Sequence, residues 1–193
     1  MNNDPTIIYR IDAQDRIVFV NDGWKQHAES NGYNDFDSGD ILFQSLWDSI
    51  SDDASRQIYR EILENVRLNK SVVFPFRCDS PECRLFLEMQ IEAHGDEVQF
   101  ETRVLKTEQR PAQKILDSEI SRSDEMLRIC GWCKKIDVGQ DNWKEVEIAV
   151  SELGLFKQEK LPQLTHGICP ECFRSVKKQI TAKRDVKDRL NEE

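Results

Sequence analysis

Apolar residues dominate two short runs near the start of the chain, residues 6–11 (TIIYRI) and 16–20 (RIVFV). Both are β-branched and aromatic, and the polar DAQD between them has turn chemistry, so a pair of antiparallel strands opens the chain. After Asn21 the stretch DGWKQHAESNG predicts a short helix stopped by Gly32. GDILFQSLWDSI adds a helical turn or two with Ile41, Leu42, Leu46 and Trp47. From Asp52 to Asn69, Ile58, Ile62 and Val66 recur every four residues with Leu63 beside them, the stripe of an amphipathic helix that Asp52 or Asp53 can cap. Three strand-like runs follow, over 71–78, 83–93 and 97–105. In the second, Leu85, Leu87, Met89 and Ile91 fall on one face. The turns between these runs, DSPE and HGD, are short enough for hairpins. The fold class is therefore α+β: a five-stranded antiparallel sheet with its helices on one face.

The pattern then changes. Over 108–127 the sequence is charged, with Leu116, Ile120, Ser123 and Leu127 spaced four and three apart, which predicts a connecting helix with a one-heptad seam. A solvated helix packed on its own domain gives the same pattern. Further on, Trp143, Val146, Val150 and Leu153 share one face of a predicted helix that Asp141 or Asn142 can cap and Gly154 can end in the left-handed conformation. Pro170 suits the first turn of a helix, so CPECFRSVKKQI reads as the start of a last one. The domains expected are 1–107, a connecting helix over 108–127, and a small module over 128–193.

The opening strands, YRIDAQDRIVFVNDGW with its helix starting between Asn21 and Trp24, and the three closing strands resemble the PAS domain, a sensor and interaction fold. The resemblance covers about the first 107 residues and implies that this part senses a ligand or engages a partner. It does not imply which ligand. No CxxCH stands ready for covalent haem, the helix over 52–69 has no histidine to ligate haem, and the cysteine motif of flavin photosensors is absent.

Cysteine placement carries the chemistry. Cys130 and Cys133 are two residues apart, as are Cys169 and Cys172, with 35 residues between the pairs. A CxxC turn lets both sulfurs reach one ion, and two such turns supply the four soft donors of a tetrahedral zinc site. A module of this size has little apolar surface, so metal would supply much of its folding free energy. His166, three residues before Cys169, is an alternative ligand or a residue packed around the site. The rival reading is a thiol redox switch or oxidoreductase using CGWC. That chemistry wants the first cysteine at a helix start after a strand, and KKIDVGQDN does not supply one. ICGWCKKI, the tryptophan-bearing DNWKEVE and THGICPECF are similar to a small cysteine-rich module found beside PAS and other signalling domains in bacteria. That resemblance implies metal binding and a signalling context.

The remaining candidates are simpler. Cys78 and Cys83 flank DSPE and could form a reversible disulfide across the turn, or pack as small half-buried thiols. His27 reads as a core-edge residue and His94 as a solvated turn residue. There is no P-loop, kinase set or nucleophile elbow, so no output enzyme is expected.

Charge refines the list of partners. The net charge is −9; residues 1–107 hold 11 Lys/Arg against 20 Asp/Glu, and the rest hold 16 against 16. An acidic first domain argues against nucleic acid. Residues 173–189 hold seven Lys/Arg against two Asp, which leaves a nucleic-acid-binding regulator as a further alternative. The apolar Phe173, Val176, Ile180, Val186 and Leu190 make a basic solvated face on a packed helix the simpler account. No apolar run is long enough for a membrane span and no secretion signal opens the chain. A cytoplasmic protein with reduced thiols, a protein partner in a signalling pathway, and a homodimer through the PAS-like domain and connecting helix are the expectations.

Overall fold

The computed structural model of the protein describes residues 6–30, 41–50, 52–68 and 70–182. The expected helix stop at Gly32, and Val186, Leu190 and the last basic residues, lie outside them.

The opening hairpin forms as its sequence predicts. β1 (Ile7–Ile11) and β2 (Ile17–Val20) pair antiparallel, with Tyr9 opposite Val20. The Asp12 carboxylate closes the turn by accepting the backbone N–H groups of Gln14 and Arg16. Asn21 then ties strand to helix. Its Oδ1 accepts from the backbone N–H of Ile8 at 3.0 Å and of Trp24 at 2.8 Å, so one side chain caps α1 (Asp22–Ser30) and fixes its angle to β1. A 3-10 turn, Leu46–Ser49, precedes α2 (Asp53–Arg67). Asp52 caps α2, accepting from the Ser55 N–H at 2.8 Å. The expected stripe of Ile58, Ile62, Leu63 and Val66 is buried. Each such side chain contributes roughly 1.5–3 kcal/mol.

β3 (Val72–Arg77), β4 (Cys83–His94) and β5 (Glu97–Gln109) complete a sheet of order β2-β1-β5-β4-β3, in which β1 pairs antiparallel with both β2 and β5. Alternate residues Val72 and Phe74, Met89 and Ile91, and Val98 and Phe100 point into the core, and Tyr9 stacks on Phe100 with ring centroids 4.4 Å apart. The chain divides into two compact units. The first holds residues up to Phe74, Glu88–Val104 and those from Val176; the second holds Pro75–Leu87 and Leu105–Ser175.

In the second unit β6 (Arg122–Cys130) pairs parallel with β9 (Leu161–Gly167) and antiparallel with β7 (Ile136–Asp137), which pairs with β8 (Trp143–Lys144); the sheet order is β8-β7-β6-β9. α3 (Val146–Glu152) lies between β8 and β9, and α4 (Pro170–Ala182) follows β9. Ile115, Ile129, Ile136, Val146, Ala149 and Leu155 form its core.

Two predicted helices differ. Residues 108–127 form no connecting α-helix: β5 runs on to Gln109, a 3-10 turn spans Lys114–Leu116, and β6 begins at Arg122. Within β6, Leu127 and Ile129 pack on the core while Met126 and Arg128 face out. That period of two, reinforced by pairing with β9, overrides a helical spacing that rested on four residues. The predicted helix containing Trp143 begins later, at Val146, because Trp143 and Lys144 pair with β7 across the turn of Gly139, Gln140 and Asp141. Gly154 closes it at φ +63°, as expected. Among the described residues no helix is long and apolar enough to cross a membrane.

Candidate metal centre

Cys130 ends β6, and the chain turns sharply after it. The N–H of Lys134 donates to the Cys130 carbonyl at 3.0 Å, and the Cys130 N–H donates to the Lys135 carbonyl at 2.8 Å, which folds residues 130–135 into a knuckle. Lys134 adopts φ +61° to complete it. The turn presents the sulfurs of Cys130 and Cys133 on one side.

The second pair comes from near the end of the unit's sequence. β9 lies beside β6 with Ile129 opposite His166 and Cys130 opposite Gly167, and the Gly131 N–H donates to the Gly167 carbonyl at 2.8 Å. This register delivers Cys169 and the first turn of α4 to the knuckle. Pro170 starts the helix, and Cys172 occupies its first turn. There, unpaired N–H groups and the helix dipole favour anionic sulfur.

All four Sγ atoms lie within 4.8 Å of one another. Cys133 and Cys169 Sγ are 3.7 Å apart, and a tetrahedron with metal–sulfur bonds of about 2.3 Å has sulfurs about 3.8 Å apart. Backbone donors support the sulfurs: the Cys169 N–H reaches Cys130 Sγ at 3.3 Å and the Cys172 N–H reaches Cys169 Sγ at 3.4 Å. Cys130 and Cys169 are buried, while Cys133 and Cys172 are half-buried.

The crowded thiols divide in acidity. Hydrogen bonds from the thiols of Cys133, Cys169 and Cys172 hold Cys130 far below the ordinary thiol range. Donating to Cys130 pushes Cys133 and Cys172 far above it. At Cys169 the contact with Cys130 is outweighed by hydrogen bonds from Cys133 and Cys172, which lower its pKa to about 7. Without a cation the cluster therefore favours thiolate at Cys130 and Cys169 and resists it at Cys133 and Cys172. A soft cation reverses that, because each sulfur then gains a bond on losing its proton. The donor set therefore fits a metal ion. A divalent ion with four thiolates leaves two negative charges, and Lys135 stands beside them, its pKa raised by Glu171 and by Cys133. Lys135 Nζ also pairs with Glu171 at 2.8 Å, joining the knuckle to the start of α4.

His166 is not among the four converging residues. It is exposed on β9. His94 is exposed at the end of β4, and His27 is half-buried on α1, where burial lowers its pKa. Cys78 and Cys83 are free thiols. Cys78 bonds with Leu85 across the turn, and Cys83 with Ser80. The two cysteines are thus diagonal neighbours, about 7–8 Å apart by Cα in such a ladder, at the limit of about 7 Å for a disulfide.

Sequence reasoning missed a buried ionic group in this unit. Asp79, in the turn that reads as a plain DSPE hairpin, is fully covered and accepts from Arg77 at 2.5 Å and Arg110 at 3.1 Å. Arg77 also reaches Glu145 at 2.7 Å, and Glu147 accepts from Arg84 at 2.8 Å and Arg110 at 3.2 Å. Burial works against the charge of Arg77, but hydrogen bonds to Asp79 and Glu145 outweigh it and raise its pKa. The backbone N–H of Arg77 donates to the Trp132 carbonyl at 2.7 Å, inside the knuckle. The charged group therefore braces the CxxC turn. No local sequence signal marks it, since its members are scattered over 77–147.

No family model matches the chain, and no curated protein matches it. Among solved structures it is similar to a domain of an HTR-like protein from Haloarcula marismortui, at 16% identity and a TM-score of 0.35, over 53% of this chain and 99% of that one.

Proposed function

We propose that the chain is a regulatory protein of signal transduction: a PAS-like sensing or interaction domain coupled to a module built on a structural zinc ion. The carrying observation is the convergence of Cys130, Cys133, Cys169 and Cys172 on one point. Four thiolates satisfy tetrahedral zinc and leave no position for water or substrate, so such an ion stabilises rather than catalyses. Structural zinc supplies about 10–16 kcal/mol of apparent folding free energy in small zinc modules.

The five-stranded sheet, with helices inserted between β2 and β3, supports the PAS-like half of the reading. In that reading the chain has no output enzyme of its own. A ligand or partner surface biases the conformation of the PAS-like domain, and the signal leaves through contact with a protein partner in the cytoplasm.

The test is metal analysis of protein purified without added metal, repeated on Cys169→Ser. Near one zinc per chain, lost in the variant together with the fold of the module, supports the reading. Metal-free wild-type protein in which Cys130 and Cys133 cycle between thiol and disulfide overturns it in favour of thiol chemistry.

A further inference from the structure

We infer that a cleft beside the cysteine knuckle binds a small phosphate-bearing molecule, with Arg122 and Lys134 as its charge partners. The cleft has a volume of about 430 Å³, and its walls include Arg122, Lys134, His166, Ser118, Gln163 and Asp79. That volume is within the range of sites for small ligands, about 300–1,000 Å³.

The unmatched charge of the cleft is positive. Asp79 is the acidic wall, and its carboxylate is already matched by Arg77 and Arg110. The two basic walls are not matched. Among the described residues neither Arg122 nor Lys134 forms an ion pair: each bonds only to neutral carbonyls. Arg122 donates to the carbonyls of Pro162 at 2.9 Å, Ile115 at 3.0 Å and Asp117 at 2.5 Å. These bonds fix the guanidinium in place before any ligand arrives. Lys134 Nζ donates to the Gly131 carbonyl at 3.0 Å, and its backbone is locked at φ +61° by the knuckle.

Two anchored cations without counter-ions, in a cleft that also offers the Ser118 hydroxyl and the Gln163 amide, suit a dianion with several acceptor oxygens. A phosphate group has that charge and geometry, and a guanidinium and an ammonium are the side chains that recognise it. Because Lys134 follows Cys133 directly, an occupied cleft would also stiffen the knuckle. The site stands apart from the metal reading, since its walls are defined whichever ion the cysteines hold.

The test uses the full chain with its metal content measured. Inorganic phosphate, and in a parallel arm glycerol phosphate, is titrated calorimetrically at constant ionic strength with chloride as the balancing anion. Saturable binding is expected, weakened about tenfold or more when one charge-assisted bond is lost, in both Lys134→Gly and Arg122→Gln. Lys157→Gln, at an exposed lysine outside the cleft, should bind as the wild type does. Lys134→Gly removes the charge at a position whose backbone favours glycine, so it keeps the test valid if Arg122→Gln fails to fold. Tighter binding of glycerol phosphate assigns a phosphate monoester, and tighter binding of inorganic phosphate assigns the free anion; both support the inference. No saturable binding by metal-loaded protein, or equal weakening by Lys157→Gln, overturns it and leaves the metal reading untouched.

Discussion

Cys133 and Cys169 lie 36 residues apart in sequence, and their sulfurs stand 3.7 Å apart. That separation is one edge of a tetrahedron sized for a metal ion, and the Cys169 N–H donating to Cys130 Sγ at 3.3 Å fixes a second relationship between the same pairs. The metal, the knuckle and the first turn of α4 should therefore behave as a unit. Lys135→Glu, which replaces the Lys135–Glu171 attraction with repulsion and sets a negative charge beside the thiolates, should lower zinc affinity by about 10- to 100-fold. Competition with a chromophoric chelator measures this; affinity equal to wild type would separate the lysine from the site.

Lys134 is held at φ +61°, a conformation that costs a residue with a Cβ about 1–2 kcal/mol. Lys134→Gly should raise the stability of the metal-loaded protein by about 1 kcal/mol, read by urea unfolding at fixed zinc. A fall in stability would show that the Nζ bond to the Gly131 carbonyl outweighs the strain.

Asp79 is a fully covered carboxylate between two buried guanidinium groups. Asp79→Ala removes the carboxylate that both cations share, leaving Arg77 with Glu145 and Arg110 with Glu147, and should cost about 1–3 kcal/mol. Because Arg77 also contacts the knuckle backbone, the same variant should release zinc at a lower denaturant concentration. Thermal and chemical unfolding, with zinc release followed by a metal dye, checks both outcomes, and a loss under about 1 kcal/mol would contradict the bracing role.

Burial pushes Tyr59 up to about 12, and raises Tyr9 well above the ordinary 10.0 with a further contribution from Tyr59. A raised pKa means that the folded state keeps the proton longer than the unfolded chain does. The stability these groups contribute is fully present below pH 10 and is lost as the pH rises through about 12. Spectrophotometric titration of a Tyr33→Phe variant should show tyrosinate absorbance delayed past pH 10 and appearing together with unfolding. Ionisation near pH 10 in folded protein would refute the burial argument.

Much of the first unit is legible in the chain. Asn21, Asp52 and the Ile58, Ile62, Val66 stripe act through local rules of capping and period, and their roles are visible before any tertiary contact is known. The four-cysteine set is legible for a similar reason: spacing two residues apart is a statement about one turn of backbone. β6 and β9 are harder. Their pairing is long-range and parallel, the run leading into β6 carries a helix-like accident at Leu116, Ile120 and Leu127, and Pro162 breaks the look of a strand in β9. Asp79 is hardest of all, because a buried ion group is defined by partners that neither alternation nor local spacing predicts.

The parallel alignment of β6 with β9 also dictates a timetable during synthesis. Cys130 and Cys133 leave the ribosome first, and 35 more residues must follow before Cys169 appears. At about 5–20 residues per second the first pair waits roughly 2–7 s with half a coordination sphere. Tight capture of an ion would then coincide with β9 reaching its register, so a filled site would certify that the nascent module has been threaded to completion.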